Sequence, residues 1–201
     1  MGRPVTATRE RILPAAYARF AGYGFRRTSM EDIAAAAGVS RAALYLQFRN
    51  KEAIFRALAQ QLHEDALAGA TAALAADGPL AARLCAAVEA RSLRFVEIAY
   101  GSPHGAELLD ENNRLCGDLA AETQKQFLAL LARVFRRAAA GGEIDLAAAG
   151  MSANEAAEVF AAAAMGLKGP GISVATFTRR VAGLATVFVA GLTPTRRRAA
   201  R

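Results

Sequence analysis

Residues 28–52 read Thr-Ser-Met-Glu-Asp-Ile-Ala-Ala-Ala-Ala-Gly-Val-Ser-Arg-Ala-Ala-Leu-Tyr-Leu-Gln-Phe-Arg-Asn-Lys-Glu, a pattern that admits little besides two short helices joined by a tight glycine turn. Thr28 reads as the N-cap of the first helix. Glu31, three residues on, would close a capping box that satisfies two orphan backbone donors. Met30, Ile33, Ala34 and Ala37 share one helical face. Gly38 follows where a left-handed backbone is needed, a conformation that is cheap only without a Cβ. Ser40 caps the second helix, and Val39 and Leu44 take the N′ and N4 positions of a hydrophobic staple. Helix, glycine turn and helix in this order form a helix-turn-helix, whose second helix enters the major groove of DNA. A helical hairpin inside a bundle is the competing reading. It fits poorly with Arg41, Ala42, Ala43, Tyr45 and Gln47, a small and polar face suited to point outward.

The rest of the 201-residue chain is rich in Ala and Leu, lacks Trp and shows no period-two runs, so an all-α fold is expected. The length allows one or two compact units with their own cores. Cys85 and Cys116 are too few for a disulfide scaffold and suit a reducing cytosol. Arg9, Glu10 and Arg11 arrive before an apolar leader segment could form. The longest uncharged stretch, 181–195, falls short of the roughly 18–20 apolar residues of a spanning helix, so a cytoplasmic protein without membrane contact is expected. The net charge of +7 is uneven. Residues 1–50 hold eight Arg against three acids, 51–190 are slightly acidic, and four Arg close the chain. Positive charge therefore coincides with the helix-turn-helix, as phosphate binding requires.

Periodicity and breakers predict about nine helices. The first spans roughly 8–21, with Ile12, Ala16 and Phe20 inward and Pro14 expected to kink it or delay its start. The two motif helices come next. Asn50 then caps a long helix over about 51–76. Further helices are expected near 80–99, after the Ser102-Pro103 pair, over 124–140, from the Ser152/Glu155 capping box to 167, and over 174–190. Three segments follow: 6–66 as a DNA-binding domain with its motif at 29–48, 67–192 as a helical effector-binding and dimerisation domain, and 193–201 as a basic tail.

Thr8-Arg9-Glu10-Arg11-Ile12-Leu13, Phe20-Ala21-Gly22-Tyr23-Gly24, Thr28-Ser29-Met30-Glu31-Asp32-Ile33-Ala34, Ala37-Gly38-Val39-Ser40 and Leu44-Tyr45-Leu46-Gln47-Phe48-Arg49-Asn50-Lys51-Glu52 together resemble the TetR family of bacterial transcriptional regulators. The likeness is close over about 6–66. Gln47, where the family often has His, and Pro14 depart from the pattern. The resemblance implies a homodimer on a palindromic operator, most often a repressor released by a small molecule. An activator of the same family, or a helical protein-binding module or enzyme reusing the fold, are the alternatives.

On DNA, Thr28 and Ser29 are candidates for phosphate contact at a helix N-terminus. Ser40 is a cap and a possible phosphate ligand. Arg41 could fork onto guanine or bond the backbone, Ala42 and Ala43 allow close approach or touch a thymine methyl, Tyr45 suits a phosphate, and Gln47 could reach adenine or phosphate. Lys51 resembles the family's phosphate-binding lysine, and Arg3 could lie in a minor groove as part of an arm. A small apolar or aromatic effector would be lined by Phe95, Ile98, Tyr100, Leu108, Phe127, Leu131 and Phe160. Val159, Ala163, Phe177, Val181, Leu184 and Phe188 would form an isologous interface. His63 reads as exposed or capping. His104, Glu107 and Glu111 share a helical face, yet two histidines in the whole chain argue against a zinc site; no metal, cofactor or catalytic residue is expected.

Overall fold

The computed structural model describes residues 5–169 and 171–194. Arg3 and most of the basic tail lie outside the described residues. Eight helices and no strand occur among those described: α1 Val5–Tyr23, α2 Met30–Ala37, α3 Arg41–Gln47, α4 Lys51–Ala75, α5 Leu80–Gly101, α6 Gly105–Ala140, α7 Ala153–Gly166 and α8 Val174–Leu192. Several begin at caps legible in the sequence. The Asn50 side-chain oxygen accepts from the Ala53 N–H at 2.8 Å. Ser152 and Glu155 form the reciprocal capping box at 2.7 and 3.2 Å, and Ser173 caps α8 through the Thr176 N–H at 3.2 Å.

Two expectations change. The short helix expected after Pro103 and the one expected over 124–140 lie end to end in α6, which kinks where Cys116 leaves helical geometry (φ −131°, ψ 17°). Asn112, Asn113 and Gly117, poor helix formers, flank that kink, and Leu108 and Cys116 are buried with Leu115 and Leu119 packed beside them. The Ser102-Pro103 pair does not open a helix. The Ser102 hydroxyl instead accepts from the His104 N–H and donates to the Ala21 carbonyl at 3.1 Å, tying the junction to the last turns of α1. The first helix also begins at Val5, earlier than expected, and is assigned without a break through Pro14. Pro14 and Glu10, whose carbonyl loses its partner, are both exposed.

The helices form two compact units. One comprises the chain up to Asp65 together with Arg94–Ala121; the other comprises Ala66–Leu93 and the chain from Glu122 onward. In the first, Ile12, Ala16, Ile33, Leu44 and Ile54 are fully enclosed around a Phe20–Phe25–Phe55 trio with ring centroids 5.2–5.8 Å apart. In the second, Phe135, Phe160 and Phe188 pack at 5.1–6.2 Å. Phe177 and Val181, expected at an interface, are completely buried within the chain. Phe188 is engaged with Phe135 and Phe160. What α7 and α8 leave exposed includes Val159 (50%), one of the expected interface residues, and Val187 (72%), which was not among them.

Candidate nucleic-acid interface and effector cavity

The helix-turn-helix forms as the residues require, with one correction. The cap of α2 is Ser29, not Thr28. The Asp32 N–H donates to Ser29 Oγ at 3.1 Å, and the Ser29 N–H donates to Asp32 Oδ2 at 2.9 Å. The Ser29 hydroxyl, which donates to Asp32 Oδ2 at 2.6 Å, and after it the Ser29 N–H hold the Asp32 carboxyl below its usual range. Thr28 is buried, and its hydroxyl donates to the Gly24 carbonyl at 2.7 Å, so it faces the protein rather than a phosphate. Met30, Ile33, Ala34 and Ala37 are buried as their spacing requires. Gly38 is left-handed (φ 62°, ψ 38°), and Ser40 caps α3 through the Ala43 N–H at 3.1 Å.

Two cations fasten this head from below. The Arg11 guanidinium donates to the Ala37 and Gly38 carbonyls at 2.7 and 3.0 Å, closing the C-terminus of α2. Lys51, at the start of α4, donates through Nζ to the carbonyls of Phe25, Arg26 and Thr28 at 2.9, 3.2 and 3.1 Å. Its ammonium also lies 4.6 Å from the centre of the Phe25 ring. All three of its protons are used, so the expected phosphate lysine is instead the clasp of the α1–α2 loop.

The outward face belongs to α3. Among its seven residues only Leu44 is buried. Ser40, Arg41, Ala42 and Tyr45 are exposed, Ala43 and Gln47 half-exposed. Arg41 pairs with Glu31 at 2.8 Å and lies over the Tyr45 ring at 5.5 Å, at the exposed surface. Leu46 is 83% exposed and was missed in the sequence. The signal was there: Leu44 and Phe48 face inward four residues apart, which turns Leu46 to the opposite side. Arg27 and Arg49 add exposed positive charge beside the motif.

Behind this head, in the same unit, lies a cavity of about 290 Å³. Leu13, Tyr17 and Phe20 of α1, Phe55, Leu58 and Leu62 of α4, Phe95 and Ile98 of α5, and Leu108 and Leu109 of α6 make its walls. Gln61, Asp65, Arg94 and Asn112 supply polar groups. Three of the expected effector residues, Phe95, Ile98 and Leu108, are therefore brought together. Tyr100 is not among the lining residues, and Phe127, Leu131 and Phe160 are buried in the second unit. His63, expected exposed, is buried with its ring 4.9 Å from Phe95.

The first turns of α6 also grip the loop before α2. Glu107 Oε1 accepts from the Arg26 N–H at 2.8 Å, and the buried Glu111 lies 3.7 Å from the Arg26 guanidinium. His104 pairs with Glu107 at 3.6 Å and Glu111 with Arg114. Among the described residues no group of three or more side chains that could hold a metal ion is found. Burial, then Glu89, pushes the Cys85 thiol up to about 11, and burial raises that of Cys116, so both thiols stay protonated at neutral pH. No helix among the described residues is long and apolar enough to cross a membrane.

Comparison with known proteins agrees with this geometry. The sequence profile described as bacterial regulatory proteins, tetR family, matches residues 12–58. The HTH-type transcriptional regulator TtgR of Pseudomonas putida is 32% identical over 148 residues, covering 69% of this chain and 70% of that protein. Among solved structures, a transcriptional regulator from Cytophaga hutchinsonii superposes with a TM-score of 0.75 at 20% identity, over 92% of this chain and 98% of that one. SmeT, the repressor of the Stenotrophomonas maltophilia multidrug efflux pump SmeDEF, does so at 0.65 and 22%, over 96% and 93%. At such identities the structures speak for the fold alone.

Proposed function

This chain belongs to the tetR family of bacterial regulatory proteins and is a DNA-binding transcriptional regulator; from that premise we propose that it acts as a homodimeric repressor, released from a palindromic operator by a small apolar or aromatic effector. The observation that carries the DNA-reading assignment is α3, a short helix anchored by Leu44 alone with its other side open. Arg41 reads guanine through its forked donors, Ala42, Ala43 and Leu46 meet thymine methyls, and Tyr45 and Gln47 bond phosphate or base edges. Ser29 and Ser40 add helix N-termini to the phosphate contacts. Thr28 and Lys51 support the head from within. In functional terms, 6–66 reads DNA and 67–192 serves dimerisation, while the effector cavity takes walls from both stretches.

One helix covers only a few base pairs, so a dimer presenting two reading helices about 34–36 Å apart is needed to reach two half-sites on one DNA face. The exposed Val159 and Val187 of α7 and α8, with the half-buried Ala163 and Leu184, suit an isologous contact. Placing a charge there by Val187→Glu should convert a dimer into a monomer in size-exclusion chromatography at micromolar concentration. A wild-type chain that already elutes as a monomer would sink the dimer reading.

The effector occupies the cavity bounded by α1, α4, α5 and α6. SmeT has been solved as a complex with triclosan, a small aromatic compound. A cavity with the present apolar walls suits a molecule of that general kind. Leu108 and Leu109 face the cavity while Glu107 and Glu111 of the same helical turns hold the Arg26 loop. A ligand that displaces α6 would therefore pull on the loop that precedes α2. The shift in operator affinity equals the ligand's differential affinity for the two arrangements.

The test is a gel-shift titration against the DNA upstream of the protein's own gene, across salt concentrations. Saturable, salt-dependent binding to that DNA over unrelated DNA is the expected result, and equal binding to both would overturn sequence-specific regulation. Arg41→Ala should weaken operator binding by about 1–3 kcal/mol while leaving non-specific binding nearly unchanged. Equal losses on both DNAs would make Arg41 a phosphate contact.

A further inference from the structure

We propose that Glu31 sets the base specificity of the reading helix, by directing Arg41 toward guanine and away from phosphate. Glu31 stands in the first turn of α2 and Arg41 at the start of α3, with Glu31 Oε1 2.8 Å from Arg41 Nη1. The guanidinium carbon lies 5.5 Å from the centre of the Tyr45 ring, one turn further along α3. Arg41 therefore has one partner on each motif helix, while its side chain stays 67% exposed to a ligand from outside.

A carboxylate in this place needs a reason. Residues 1–50 carry eight Arg against three acids, and the surface they form meets a polyanion. Of those acids, Glu10 stands on α1 and Asp32 is taken by the Ser29 cap. Only Glu31 pairs with a residue of α3 among the described residues. Capping does not account for it, because the reciprocal partner of Ser29 is Asp32. Folding does not either, since an exposed ion pair adds little stability. What remains is its partner, Arg41, the one cation among the seven residues of α3.

The pair divides the guanidinium. Its Nη1 end meets the carboxylate, which leaves the parallel Nε–H and Nη2–H edge for another acceptor. Two parallel donors match guanine O6 and N7. They also match a phosphate, and a long flexible side chain can reach phosphates at any sequence. With Glu31 attached, turning to the backbone brings a carboxylate toward a phosphate, and the like charges repel. Guanine is neutral and carries no such penalty. Discrimination thus comes from what Glu31 discourages as much as from what Arg41 attracts. The inference rests on the reading of guanine by Arg41 given above, and adds the residue that selects base over backbone.

Duplexes are selected from a random pool by the full chain, by Glu31→Gln and by Arg41→Ala, and each protein is melted alongside. The wild-type chain should enrich guanine at one position of each half-site, and Arg41→Ala should lose that preference. Glu31→Gln should weaken it about tenfold while the other selected positions keep theirs. On a duplex of scrambled sequence, Glu31→Gln should bind more tightly than wild type. Its salt slope there should steepen by about one unit, as Arg41 takes up a phosphate. Adding Arg41→Ala should remove that steepening. Melting of Glu31→Gln should stay within about 2 °C of wild type. A Glu31→Gln chain that keeps the full guanine preference, or that loses every position together with its stability, would overturn the role of Glu31 and leave the regulator standing. Should Arg41→Ala change no position, the guanine reading falls and the inference with it. A wild-type chain that enriches nothing would remove sequence-specific regulation itself.

Discussion

Replacing Lys51 by methionine should lower the unfolding midpoint and weaken operator binding together. Methionine keeps the apolar stem but removes an ammonium that donates to three carbonyls, those of Phe25, Arg26 and Thr28. These acceptors belong to the loop that ends at Ser29, the cap of α2, so losing the clasp loosens the entry to the whole helix-turn-helix. Removing charged donors from a part-buried cluster leaves the acceptors unmatched, and a loss of about 2–4 kcal/mol is expected. For a chain of this size that is roughly 5–15 °C in melting temperature. A phosphate-binding lysine would behave differently. Its loss would reduce the salt dependence of DNA binding by about one unit of slope and leave melting unchanged. Melting curves and salt titrations of the same variant therefore decide between clasp and contact, and unchanged melting would refute the clasp.

Gly105→Ala should be comparably damaging, by about 3 kcal/mol. A methyl group at Gly105 would run into the carbonyl oxygens of Ile98 and Ala99, which are backbone atoms of α5 and cannot swing aside as a side chain could. Either the turn between α5 and α6 opens or α6 starts later, and both distort the cavity that Ile98, Ala99 and Gly105 line. The internal control is Gly117→Ala in the same helix, where nothing lies within 4 Å of the new methyl group. There the gain in helix propensity should leave stability unchanged or raise it by up to about 1 kcal/mol. Chemical denaturation of the pair isolates close approach from propensity. Equal stability of both variants would show that the α5–α6 junction yields at little cost.

How far the site was legible can be seen at Thr28 and Ser29. Each offers a hydroxyl with a carboxylate three residues on, Glu31 or Asp32, so sequence alone allows either capping register. The choice follows from Thr28 turning inward onto the Gly24 carbonyl, which leaves Ser29 at the cap and frees Glu31 to hold Arg41. Lys51 was recognised as important for the wrong reason, because its partners are carbonyls 23 to 26 residues earlier that carry no side-chain signature. Phe177 and Val181 look like interface residues on an apolar helix, but one periodic stripe cannot say whether its cover comes from the same chain or another.

The sequence by itself determined the helical class, the caps at Ser40, Asn50 and Ser152, the left-handed Gly38 and the outward face of α3. All of these are decided within a few residues along the chain, where periodicity, capping chemistry and Cβ sterics operate. Tertiary structure decided the register of the α2 cap, the clasp at Lys51 and the cavity shared by four helices. Each of these joins groups distant in sequence or sets burial against local preference, and only the packing of helices onto one another settles which prevails.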